Sequence, residues 1–246
     1  TGSVKMPSKK LFAILCARKK YPLQYPTMEI IWHGQSCFTL KGNGHALGGQ
    51  SATLVADPYD PKIGLNWPKL KADVVTVSHQ EEDHNNVAGV EGMGEGSPTV
   101  FDWPGEYESK GVLISLVSTD EKEENLAAHF ELDGVKICHL GNLNGKLNDA
   151  ALETIGDVDI LLIPVGGGET LDSKGAHEVI EQLEPRVVIP MHYKIEGLKD
   201  DKIGGVEAFM KAAGTHEAPR ESFKIKTRSE LPEETTIFVQ LLPQFG

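Results

Sequence analysis

The chain has 246 residues, with 24 basic and 36 acidic side chains, a net charge of −12 at neutral pH, and 39% hydrophobic residues. That length suits one large domain or two small ones, and the apolar share is that of a folded soluble protein. The longest apolar runs, such as residues 160–165, fall far short of the ~20 residues a membrane span needs, and the negative field repels phosphate backbones and anionic lipid. No membrane association and no extended nucleic-acid binding are expected.

Residues 1–27 differ from the rest. Lys5, Lys9, Lys10, Arg18, Lys19 and Lys20 give them +6 with no acidic residue, which leaves 18 basic against 36 acidic residues in 28–246. The apolar stretch 11–17 is seven residues long and runs into Arg18-Lys19-Lys20, a poor exit toward a signal cleavage site. The three cysteines, Cys16, Cys37 and Cys138, are odd in number and form no C-x-x-C pair. Together these features point to a cytoplasmic protein with three free thiols. Residues 1–27 are read as a basic N-terminal extension, artificial in origin or disordered, and 28–246 as the folded domain.

From Met28 onward, short apolar runs alternate with turn residues. Strands are expected at 29–33, 36–40, 52–56, 74–78, 99–101 and 112–117, then at 126–132, 135–140, 160–165, 187–190, 223–226 and 236–241. Helical patterns occur near 149–155 and 206–213. The clearest helix starts at the cap Asp172, lines up Ala176, Val179, Ile180 and Leu183, and stops before Pro185. Alternating and continuous apolar strands with interspersed helices suggest two sheets covered by helices, a four-layer α/β arrangement.

Three strands end in histidine, at His79, His139 and His192, and a fourth ends in Asp57 followed by Pro58. Strands packed side by side bring such ends together. Imidazole and carboxylate in one place suit zinc, iron or manganese. The densest cluster, His79-Gln80-Glu81-Glu82-Asp83-His84, puts five candidate ligands into six positions directly after a strand. In a tight turn, residues 79, 81 and 83 can face one point while His84 swings to a second, which suits a metal pair bridged by water. The competing reading is a solvated acidic loop. His33, His45, His129, His177 and His216 lack acidic clustering and are read as structural or solvated. Gly166-Gly167-Gly168 lacks the Lys-Ser/Thr of a phosphate loop and is read as a tight loop at the site edge.

The run His79-x-Glu81-x-Asp83-His84 resembles the H-x-H-x-D-H motif of the metallo-β-lactamase superfamily. Trp32-His-Gly-Gln-Ser-Cys-Phe38, Asp57-Pro-Tyr-Asp-Pro61, Pro104-Gly-Glu-Tyr107, His139-Leu-Gly-Asn142, Leu162-Ile-Pro-Val-Gly-Gly167 and Ile189-Pro-Met-His-Tyr193 are similar to its UPF0173 branch, and more distantly to ascorbate-6-phosphate lactonase. The resemblance runs from about Met28 to Lys199 and implies a four-layer αββα sandwich with a dimetal site on one edge. It assigns His79, Glu81, Asp83, His84, Asn142 and His192 to the metals, with Asp57 and His139 supporting them from behind. No role follows for Glu106 and Tyr107.

The departures set further expectations. Glu81 stands where the family usually has histidine, as in its diiron members, and Asn142 stands where it has a bridging aspartate. The family's third histidine should fall at about 118–120, where Ser118-Thr119-Asp120 stands instead. An amide is a far weaker ligand than a carboxylate. One tightly held ion is therefore expected, zinc first and manganese or iron otherwise, on Asp83, His84 and His192. The implied activity is hydrolysis of a small ester, lactone, amide or phosphodiester by a metal-bound hydroxide, with Asp83 as proton acceptor. The alternatives are a degenerate, non-catalytic binding or assembly scaffold and, further off, a nuclease. A small-molecule substrate is expected, and self-association stays open.

Overall fold

A computed structural model describes residues 27–44, 50–119 and 124–245. Cys16, His45, Asp120 and the stretch through residue 26 lie outside the described residues. The first strands in chain order are β1 (Met28–Trp32), β2 (Phe38–Asn43), β3 (Ser51–Ala56), β4 (Leu70–Ala72), β5 (Val74–Thr76), β6 (Val90–Gly92) and β7 (Thr99–Phe101). Next come β8 (Gly105–Ser109), β9 (Val112–Ser118), β10 (Leu126–Leu132), β11 (Val135–His139), β12 (Ile160–Pro164) and β13 (Val187–Met191). Two short strands, β14 (Phe223–Ile225) and β15 (Ile237–Phe238), follow near the C-terminal end.

These strands form a six-stranded sheet, β14-β1-β2-β3-β5-β7, a seven-stranded sheet, β15-β13-β12-β11-β10-β9-β8, and the pair β4-β6. Period-2 alternation sorts the side chains of the first sheet. Leu54, Ala56 and Val74 enter a core shared with the second sheet, whereas Val55, Val75 and Val77 enter a smaller core with Tyr59, Leu65 and Leu70. Burial on both faces is why β3 and β5 read as unbroken apolar runs. Each of these valine and leucine side chains contributes about 1.5–3 kcal/mol on burial.

Three helices lie in the half of the chain that forms the second sheet. Helix α1 (Asp149–Ile155) is capped by Asn148, and α2 (Ser173–Leu183) by Asp172, whose carboxylate accepts from Gly175 N at 2.8 Å. Helix α2 buries Ala176, Val179, Ile180 and Leu183, the stripe its periodicity predicts, and stops at Glu184, where φ is 45°. Helix α3 (Glu207–Ala212) adds Phe209 and Met210 to the same core. The expected α/β sandwich is thus present. Among the described residues, the outer face of the first sheet is closed by the β4-β6 pair and 3₁₀ turns in place of α-helices. No helix among the described residues is long and apolar enough to cross a membrane.

Candidate metal centre

β3 runs parallel to β5, and β11 runs parallel to β12 and β13, so the C-terminal ends within each set point the same way. Asp57 follows β3, Ser78 and His79 follow β5, His139 ends β11, and His192 follows β13. Gln35, Asp57 and His192 all hold left-handed backbone, with φ of 50°, 46° and 49°. Side chains other than glycine adopt that conformation at a cost of order 1 kcal/mol or more, and such positions gather at functional sites.

The site is built around Asp57, which is 1% exposed. Its Oδ1 accepts from Ser78 N at 2.8 Å, and its Oδ2 accepts from Ser78 Oγ at 2.6 Å and from His84 Nδ1 at 2.6 Å. With its proton given to Asp57, Ser78 Oγ is left to accept from His79 Nδ1 at 3.3 Å. Both imidazoles therefore turn Nε2 inward, and each Nε2 is buried without a hydrogen-bond partner. Their ring centroids are 4.1 Å apart. Asp83 Oδ2 lies 3.2 Å from His84 Nε2 and 3.5 Å from His192 Nε2, and accepts from Gln35 Nε2 at 2.9 Å. His192 Nε2 accepts from the same Gln35 amide at 2.8 Å.

One ligand atom from each of His79, Asp83 and His84 falls within 4.8 Å of the others. Two buried imidazole nitrogens beside a carboxylate are a donor set that fits a divalent cation, which would replace the proton that His84 otherwise holds. The partition differs from the expected one. His79 joins Asp83 and His84, His192 stands beside them against Asp83, and Glu81 turns outward with its side chain 62% exposed and Oε2 3.5 Å from His79 Nε2. Asn142 donates its backbone N–H to Asn125 Oδ1 at 2.7 Å, while its own Oδ1 is buried without a partner. Where a third histidine was expected, Thr119 Oγ1 accepts from Asn125 Nδ2 at 2.9 Å. That wall is neutral. Gly141 makes the approach of this turn feasible: its φ is 58°, and a Cβ there would lie 2.4 Å from Ser78 Cβ.

Charge follows geometry. Burial disfavours charge on Asp57 and Asp83, yet the His84 imidazole and their hydrogen bonds hold both carboxyls below the usual range, Asp83 far below it. Burial likewise opposes the charged form of His84, but Asp57 and Asp83 outweigh it and push His84 up to about 10. His79 is held down, first by burial and then by His84. His139 is also held down by burial; it accepts from Gly141 N at 3.2 Å and donates through Nε2 to Ser36 O at 2.8 Å. It packs behind Asp57, with Nδ1 4.0 Å from Oδ2.

Three cavities of 620, 610 and 680 Å³ meet at Glu81. The largest also touches His79, Asn125 and Asn142, so Asn142 faces the same space as two expected ligands. Sequence reasoning missed Gln35 and Ser78, whose polar side chains orient Asp83, His192 and Asp57; the quoted Trp32–Phe38 motif carried Gln35 without showing its role. His33 bridges Gln244 O and Thr39 Oγ1, and His177 packs on Phe209 with its Nδ1 2.7 Å from Ser173 O.

Residues 29–192 match the beta-lactamase superfamily domain. The chain belongs to the metallo-β-lactamase superfamily. Within its UPF0173 branch, a metal-dependent hydrolase of Thermoplasma acidophilum is 30% identical over 194 residues, covering 68% of this chain and 83% of that protein. A UPF0173 protein of Pyrococcus furiosus is 26% identical over 192 residues, with the same coverage of 68% and 83%. The crystal structure of a superfamily member from Thermotoga maritima, described as a candidate Zn-dependent hydrolase, superposes with a TM-score of 0.71. That protein is 38% identical, and the match covers 87% of this chain and 98% of the other.

Proposed function

We propose that the protein is a metal-dependent hydrolase of a small ester, lactone, amide or phosphodiester. The observation that carries this reading is the convergence of His79, Asp83 and His84, with both imidazole Nε2 atoms buried beside carboxylates. The descriptions of the Thermoplasma and Thermotoga relatives point the same way. His79, Asp83 and His84 would hold a divalent cation, zinc by the chemistry of the donors, with His192 and Glu81 at its margin. When bound, the cation supplies Lewis-acid polarisation of water and of the scissile group.

The chain's own residues do the rest. Asp57 and Ser78 fix the tautomers and directions of His84 and His79. Gln35 pins Asp83 and His192 relative to each other, and the Asp83 carboxylate would accept the proton of an attacking water. The neutral wall of Thr119, Asn125 and Asn142 supports one cation in preference to a bridged pair. The test pairs elemental analysis with hydrolysis of a panel of p-nitrophenyl esters and lactones. We expect bound metal and a turnover that Asp83→Asn lowers by ~10²-fold or more. Metal-free protein with no turnover after zinc or manganese incubation would favour the non-catalytic scaffold.

A further inference from the structure

The 620 Å³ cavity beside His79 differs in character from its two neighbours. Trp103, 69% exposed, and Pro104 form one side, Leu126 adds apolar surface, and Glu81, Asp102 and Glu124 bring carboxylates to the same space. Among the described lining residues there is no lysine or arginine, whereas the other two cavities carry Lys199 and Lys146. The backbone of Trp103 is held in place, and its indole is open to solvent. Tyr107 donates its hydroxyl to Trp103 O at 2.9 Å, and its ring stacks on Phe101 with centroids 4.2 Å apart. The turn between β7 and β8 is thereby braced at both ends. At the inner end of the cavity sits His79, whose side chain is 9% exposed and whose Nε2 has no hydrogen-bond partner.

The negative ring face of an indole attracts cations. Carboxylates around the same opening add to that attraction and repel anions. We propose that this cavity is the subsite for an organic cation, the positively charged and apolar part of the substrate, with Trp103 as its recognition residue. The inference rests on the hydrolase reading for the chemistry at His79, Asp83 and His84, and it narrows that reading. The scissile bond lies at the inner end, and the cationic group, an aryl or alkyl ammonium, lies against the indole. Phosphodiesters and carboxylate-bearing esters are disfavoured at this opening by the same charges.

The test uses the full chain and calorimetric titration with three probes of similar size: benzyltrimethylammonium, benzyl alcohol and phenylacetate. We expect saturable binding of the ammonium, about tenfold tighter than of either other probe, and weaker in 0.5 M salt. Trp103→Ala should remove that preference, and Asp102→Asn should reduce it, with unchanged far-ultraviolet dichroism in both variants. Equal binding of the neutral or anionic probe, or full retention of the preference in Trp103→Ala, overturns the subsite. Binding does not require turnover, so the two readings separate. Ammonium preference with no hydrolysis of any ester removes the hydrolase and keeps the subsite, and hydrolysis without that preference removes the subsite alone.

Discussion

Asn142 places a neutral amide where a bridging carboxylate would draw a second cation into the site, and its buried Oδ1 has no hydrogen-bond partner. Asn142→Asp should raise metal affinity by ~10–100-fold, the scale of changes made around a metal's ligands. Competition with a chromophoric chelator measures it, and an unchanged titration would show that residue 142 does not reach the metal. At this scale much of the site is legible in the chain. His79, His192 and Asp57 stand just past strand ends, where parallel pairing collects them, and Asp83 and His84 follow in the turn after β5. Gln35 and Ser78 are not legible, because their roles depend on the left-handed turn at Gln35 and on the buried hydrogen bonds of Asp57. Glu81 defeats spacing arguments for a related reason. The turn is not extended, so residues 79, 81 and 83 do not share a face, and His84 N and Asn85 N both return to Glu81 O.

Helix α2 shows what local pattern captures: a capping carboxylate, one apolar face and a stop before proline. Asp172→Ala should cost about 1 kcal/mol in urea unfolding, since Gly175 N loses its acceptor. A change under ~0.3 kcal/mol would mean that the helix start is held by its packing alone. Strands β4, β6 and β8 escape sequence reading. The first two have three residues each, too few to display a period, and β8 (Gly105–Ser109) carries Glu106 and Glu108 at exposed positions. The expected strand at 36–40 begins only at Phe38, because Cys37 N turns back to Gly34 O at 2.9 Å. That turn is also what delivers Gln35 to the metal centre.

Across the whole molecule, His33 ties the start of the fold to its end through Gln244 O, and burial holds this imidazole below its usual pKa. His129 is held down the same way. The unfolded chain takes up these protons first, so their contribution is present above pH ~6.5 and is lost as pH falls through the folded values. In chelator-treated protein, stability should drop on acidification below pH ~6.5, and His33→Gln should flatten that slope; equal slopes in both proteins would contradict it. Of the described cysteines, Cys37 and Cys138 are free and buried. The central claim concerns what the segment after β5 assembles, a single cation site at His79, Asp83 and His84. The direct measurement is metal content per chain by elemental analysis after zinc loading and dialysis, on the wild type, His84→Ala and His177→Ala. The account predicts one ion per chain in the wild type and in His177→Ala and none in His84→Ala. Two tightly held ions, or one that survives in His84→Ala, would contradict it.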